Sequence, residues 1–203
     1  MTRACAWALA LLAASCGSSP PARYFTLAPI GSARAAGDSQ APIRMGRVNL
    51  PPRLDRNSLV EWSGPGELKI SSRDRWAAPL DDMIRSTLAE DLRDRLRERV
   101  YLPGDYIPPG PCRFINLNVR SFAAHDGGRV ELVADWEMTK SSPAAVIAAG
   151  SERINVPIDS DAGSEVVPAM SRALAELSDR IVRTSAGSRL RTALPAGSTT
   201  APE

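Results

Sequence analysis

Three kinds of side chain in this 203-residue sequence could do chemistry: its three cysteines, its single histidine, and its adjacent carboxylates. Catalysis needs several of them together, and their spacing offers no constellation. His125 falls in a predicted hairpin tip, where a solvated turn residue is expected rather than a base. Neither His125 nor Cys112 has soft ligands at metal-site spacing, so no metal site is expected. Asp81 and Asp82 lie side by side, but placement at a helix N-terminus explains them. Nucleophile elbows, H-E-x-x-H and the phosphate-binding G-x-x-x-x-G-K-[ST] are all absent from the sequence. A non-enzymatic chain without a cofactor is the expectation, and a hydrolase with an unfamiliar site is the more distant rival.

The one cysteine with a chemical context is Cys16. Arg3 supplies a basic n-region, Ala4 to Ala14 is apolar, and Leu12-Ala13-Ala14-Ser15 brings small residues up to Cys16. An apolar run of this length falls short of the roughly 20 residues that span a bilayer. It reads as an export signal over residues 1–15, with Cys16 as a lipid attachment site. Ala13 stands where leucine is usual, with Leu12 one place further out. Multiple acyl chains, at about 0.8 kcal/mol per buried CH₂, give stable anchoring. Gly17 and Ser18, rather than Asp, follow Cys16, which points to the outer membrane. Residues 16–22 would then be a short lipidated tether.

Composition sets the remaining bounds. Cleavage before Cys16 removes Arg3 and leaves 24 basic against 23 acidic residues, which offers no electrostatic footprint for nucleic acid. With Cys5 in the signal and Cys16 acylated, Cys112 is a lone thiol with no disulfide partner.

The elements that must position these residues follow from periodicity. Strands are expected at Arg23 to Leu27, Ile43 to Leu50, Ser58 to Ser63 and Glu67 to Ile70, the last two joined through Gly64-Pro65-Gly66. Ala28 to Pro42 reads as an unpatterned connection. Leu80, Ile84, Leu88, Leu92 and Leu96 repeat at four and predict a helix from Leu80 to Val100, entered through Pro79. Its charges pair as Asp81/Arg85 and Asp91/Arg95, which predicts a solvated, salt-bridged face. A hairpin over Arg113 to Lys140 turns at Asp126-Gly127, Ala145 to Pro157 adds a strand, and a second helix runs from about Ser164 to Ala186. Residues 23–190 should therefore form a single α+β domain, a mostly antiparallel sheet of about six strands with two amphipathic helices packed on it. Residues 191–203 read as a disordered tail.

Three stretches resemble a known family. Arg23-Tyr24-Phe25-Thr26-Leu27 is similar to its opening strand. The run from Val48 to Arg56, VNLPPRLDR followed by Leu59-Val60, is similar to its proline-bearing L-[DN]-R motif, with Pro52 in place of a tyrosine. Arg75-Trp76-Ala77-Ala78-Pro79-Leu80 is similar to its helix entry, with Ala78 in place of a glutamate. The family is that of the ABC-type transport auxiliary lipoproteins.

What the resemblance implies is a non-catalytic lipoprotein on the periplasmic face of the outer membrane. It would work with an MCE-domain protein and inner-membrane ABC transporter or permease components in moving lipids and maintaining the envelope, with homo-oligomers expected. The motif residues Leu54, Asp55, Arg56 and Trp76 become candidates for a partner surface. From the residues themselves, Leu54-Asp55-Arg56 reads equally as a turn with Asp55 capping backbone N–H groups. Trp76 reads equally as an apolar anchor of the helix entry. Trp62 fits either core or an interface. An assembly factor or plug for an outer-membrane complex remains the alternative.

Overall fold

The computed structural model describes residues 21–31, 41–96, 98–141 and 143–193, with side chains to residue 186. Its elements in chain order are β1 (Arg23–Phe25), β2 (Ile43–Asn49), β3 (Ser58–Trp62), β4 (Leu68–Trp76), α1 (Leu80–Leu96), β5 (Val100–Tyr101), β6 (Arg113–His125), β7 (Arg129–Ser141), β8 (Ala144–Pro157) and α2 (Gly163–Ala193). The signal segment, Cys16 and residues 194–203 lie outside the described residues.

The sheet is organised around β6. On one side it pairs antiparallel with β7 along its whole length, and β7 pairs antiparallel with β8. On the other side two strands share its edge. β2 runs parallel to the first half, from Arg113 to Asn118, and β3 runs parallel to the last two residues, Ala124 and His125. Pro51 and Pro52 explain the interruption, because proline cannot donate to the ladder. The chain turns through Leu54, whose N–H and that of Asp55 both bond to Pro51 O, and then rejoins the same edge.

The fold is α+β as expected, with two helices packed on a sheet, but the sheet has eight strands and is mixed. Hairpin logic correctly pairs β3 with β4, β6 with β7, and β7 with β8, all antiparallel. Four parallel pairs, β1 with β4, β2 with β5, β2 with β6, and β3 with β6, join segments separated in sequence. Turn signals carry no information about such pairs. α1 stops at Leu96, short of the expected Val100, because Val100 and Tyr101 are taken as β5 against Ile43 and Arg44.

One face of the sheet carries the core. Ile115, Leu117, Val119, Phe122 and Ala124 of β6 stand opposite Met138, Trp136, Ala134, Leu132 and Val130 of β7, all buried. Leu80, Ile84, Leu88 and Leu92 of α1 and Val167, Met170, Leu174, Leu177 and Ile181 of α2 are buried as their spacing requires.

The polar side of α1 departs from the solvated face that its charges predict. Asp81 and Asp82 do pair with Arg85 near the surface. Asp91 and Arg95, however, are 0% and 4% exposed. The segment after β1 is the cause: Ile30 N donates to Asp91 Oδ1 at 2.9 Å, Arg95 Nη1 donates to Ile30 O at 3.2 Å, and Ala28 N donates to Ser171 Oγ at 3.2 Å. The described start of what reads as a featureless connection, residues 28–31, is a strap across both helices. Arg95 also binds Asp179 of α2 at 2.6 Å, so one guanidinium ties three segments together.

Candidate functional site at the strand tips

The side chains that point away from the helices form a row at the end of the sheet. Trp62 stands opposite His125 and His125 opposite Arg129, and residues directly opposite share a face. The Trp62 and His125 rings stack with centroids 5.9 Å apart and planes 25° apart. Arg53, carried by the turn after β2, lies 5.8 Å from the Trp62 ring centre and donates to Arg120 O. Trp62 is therefore half-buried and belongs to this outer face rather than to the helix-covered core.

Two cavities open beside the stacked rings. One, of about 310 Å³, has Glu61, Lys69, Asp126 and Asp161 in its wall, and the other, of about 470 Å³, lies between the Gly64-Pro65-Gly66 turn and the tip carrying Asp126 and Arg129. Gly64, Gly66 and Gly128 take positive φ at these turns, a conformation that costs glycine little. Lys69 Nζ bridges Glu61 at 3.1 Å and Asp161 at 2.8 Å, fastening the β3–β4 hairpin to the loop before α2. Those bonds, to Asp161 first, hold its ammonium well above the usual lysine range and lower the Asp161 carboxyl.

His125 is more enclosed than the solvated turn residue that the sequence predicts. It closes β6, and burial holds its imidazole below its ordinary pKa, partly opposed by the Glu131 charge. Its Nε2 stands 3.7 Å from Glu131 Oε1, beyond hydrogen-bond reach, while Glu131 Oε2 is engaged by Arg153. No oriented base results. Nε2 of His125 and Oγ of Ser63 are buried without a hydrogen-bond partner among the described residues. Among those residues no group of three or more His, Cys, Asp and Glu side chains could hold a metal ion. The arrangement can bind, through a ring stack flanked by charges of both signs.

The motif residues are gathered elsewhere, at the start of β3. Leu54 is buried in the core at 3% exposure, whereas Asp55 and Arg56 are exposed. Backbone bonds to Pro51 O hold the turn, so the capping role open to Asp55 is filled by the main chain. Trp76 ends β4, buried at 6%, and its N–H donates to Asn57 O at 2.8 Å. The two motifs thus meet through the backbone, with Leu54 and Trp76 inside and Asp55 and Arg56 available outside. The ring stack was legible only as the unassigned Trp62; pairing it with His125 needs the parallel β3–β6 contact.

Sequence comparison adds to this geometry. A family described as "ABC-type transport auxiliary lipoprotein component" matches residues 25–182. The chain belongs to this family. Among its curated relatives, "Intermembrane transport lipoprotein PqiC" of Escherichia coli (strain K12) is 25% identical over 134 residues, covering 63% of this chain and 68% of that protein. The PqiC of Shigella flexneri gives the same figures. Two crystal structures share the fold: an uncharacterised protein, with TM-score 0.67 and 19% identity over 81% of this chain and 98% of that one, and a Xanthomonas campestris protein, with TM-score 0.66 and 17% identity over 84% and 99%. The helices cover one face of the sheet, and the outer face and its tip are the part of the sheet left open. No helix among the described residues is long and apolar enough to cross a membrane.

Proposed function

We propose that this chain is a non-catalytic auxiliary subunit of an intermembrane lipid transport system, anchored through acylated Cys16 to the periplasmic face of the outer membrane. The observation that carries the reading is the family match over residues 25–182, which begins nine residues after Cys16. An MCE-domain protein would be its direct partner, inner-membrane ABC or permease components would supply the energy, and the chain would act as a homo-oligomer. The exposed Asp55 and Arg56, presented on a turn fixed by Leu54 and Trp76, supply a rigid polar contact of the kind that gives a partner its register. The sole covalent group is the lipid on Cys16, and no cofactor takes part.

Two measurements test this. Cys16→Ala leaves an unprocessed or released species, read by mass and by membrane fractionation; an unchanged mature mass and unchanged fractionation refute the anchor. Purification of the tagged full chain from membranes recovers an MCE-domain protein, and Asp55→Ala/Arg56→Ala reduces that recovery without changing the melting temperature. Recovery of an outer-membrane barrel protein instead replaces the transport reading with an assembly role.

A further inference from the structure

The cleft beside Trp62 and His125 stands at the end of the sheet toward which the N-terminal chain leads. β1 is parallel to β4 with Arg23 opposite Asp74, so the N-terminal end of β1 points toward Leu68, the first residue of β4. Leu68 stands opposite Trp62, and Trp62 opposite His125. Seven residues lead from Cys16 to Arg23, a reach of about 25 Å at full extension. An anchor on Cys16 therefore holds this end close to the membrane. The loop carrying the exposed Tyr106, which precedes the start of β6, lies at the other end.

The free groups in the cleft are of both signs. Lys69 is occupied by Glu61 and Asp161. Asp126 and Arg129, which flank the stacked rings, take part in no salt bridge among the described residues. In the cavity between the Gly64-Pro65-Gly66 turn and the β6–β7 tip, a simple anion would meet the carboxylate of Asp126 and a simple cation would meet the guanidinium of Arg129. A ligand that carries both charges a few bonds apart answers both, and the aromatic pair gives it an apolar floor.

We propose that this cleft receives the zwitterionic head of a phospholipid, an ammonium joined to a phosphate diester, from the leaflet in which the chain is anchored. The phosphate lies toward Arg129 and the ammonium toward Asp126. The assignment rests on the reading of Cys16 as the lipid attachment site.

The test uses the full processed chain in lipid nanodiscs containing a zwitterionic phospholipid with a nitroxide on its head group. Processing removes Trp7, and Trp76 and Trp136 are buried at 6% and 3% exposure, so contact quenching of tryptophan emission reports on Trp62. Emission is quenched in the parent chain, and the quenching is lost in Trp62→Phe and in Asp126→Asn/Arg129→Gln. Unlabelled phosphatidylethanolamine restores the emission and phosphatidylglycerol does not. Quenching that persists in the double variant, or that both lipids relieve equally, overturns the proposal. Relief by free glycerophosphoethanolamine as readily as by the lipid assigns the cleft to a soluble ester and overturns it too. A chain that fails to associate with the discs refutes the Cys16 anchor and the proposal with it, whereas a disc-bound chain whose Trp62 is unquenched refutes the proposal alone.

Discussion

Arg95 is the side chain whose removal most sharply tests how the strap and the helices are held. Its Nε donates to Asp179 Oδ1 at 2.6 Å, and its Nη1 serves Ile30 O at 3.2 Å, Asp91 O at 3.1 Å and Asp91 Oδ1 at 3.3 Å. Asp91 is fully buried, its Oδ2 has no hydrogen-bond partner, and burial pushes its carboxyl up to about 6 in spite of Ile30 N–H and Arg95. Replacing Arg95 with methionine keeps the stem's packing and leaves a buried carboxylate unpaired, a change that costs about 3–5 kcal/mol. Asp179 is 40% exposed and water replaces its partner, so its share is small.

The value expected for Arg95→Met at pH 7.5 is therefore about 3 kcal/mol, the lower end, because Asp91 can take up a proton instead. With Asp91→Asn already in place no charge is stranded, and the same substitution costs about 1 kcal/mol, the worth of the lost hydrogen bond to Ile30 O. Urea unfolding of the four species at pH 7.5 measures both costs. At pH 5, where Asp91 is largely protonated, the cost in the parent background falls toward the smaller figure. Equal costs in the two backgrounds, or a cost that ignores pH, would refute the coupling of this buried pair.

Other substitutions test other parts of the fold. The folded Asp91 pKa lies above its unfolded value, so its contribution to stability is full below about pH 4 and is lost as pH rises through 6. Asp91→Asn should escape this loss, so that between pH 4 and 7.5 its stability stays level while the parent's falls by up to about 3 kcal/mol, followed by urea titrations across that range. Leu88 is 0% exposed on α1, so Leu88→Asp should cost several kcal/mol, or about 3 or more, and lower the melting temperature well beyond the reach of an exposed-face change such as Asp82→Ala. A Cβ on Gly46 would meet Asn116 Oδ1 at 2.1 Å and Ile115 O at 3.1 Å, where β2 loses register against β6. Gly46→Ala should therefore cost about 1–3 kcal/mol by thermal melting, whereas Gly66→Ala, with open space but positive φ, tests backbone strain alone.

The sequence by itself determined what repeats or turns locally. The four-residue spacing from Leu80 to Leu96 placed α1 and its buried face, and Pro79 placed its start, because helix periodicity and proline's missing N–H act within one turn. Asp126-Gly127 and Gly64-Pro65-Gly66 placed the two tips, since tight turns are set by the residues that make them. The three motif stretches determined the family, which the match over residues 25–182 establishes. The burial of Asp91 and Arg95 was decided only by the tertiary structure. Their i,i+4 spacing is the same as that of the surface pair Asp81 and Arg85, and nothing in α1 records that residues 28–31 will lie across one pair and not the other. The parallel contacts of β6 with β2 and β3 were decided there as well, and with them the Trp62–His125 stack and its cleft. Such pairings join segments more than sixty residues apart, and their free energy resides in the joint burial of both strands under the helices, a quantity that neither strand carries in its own residues.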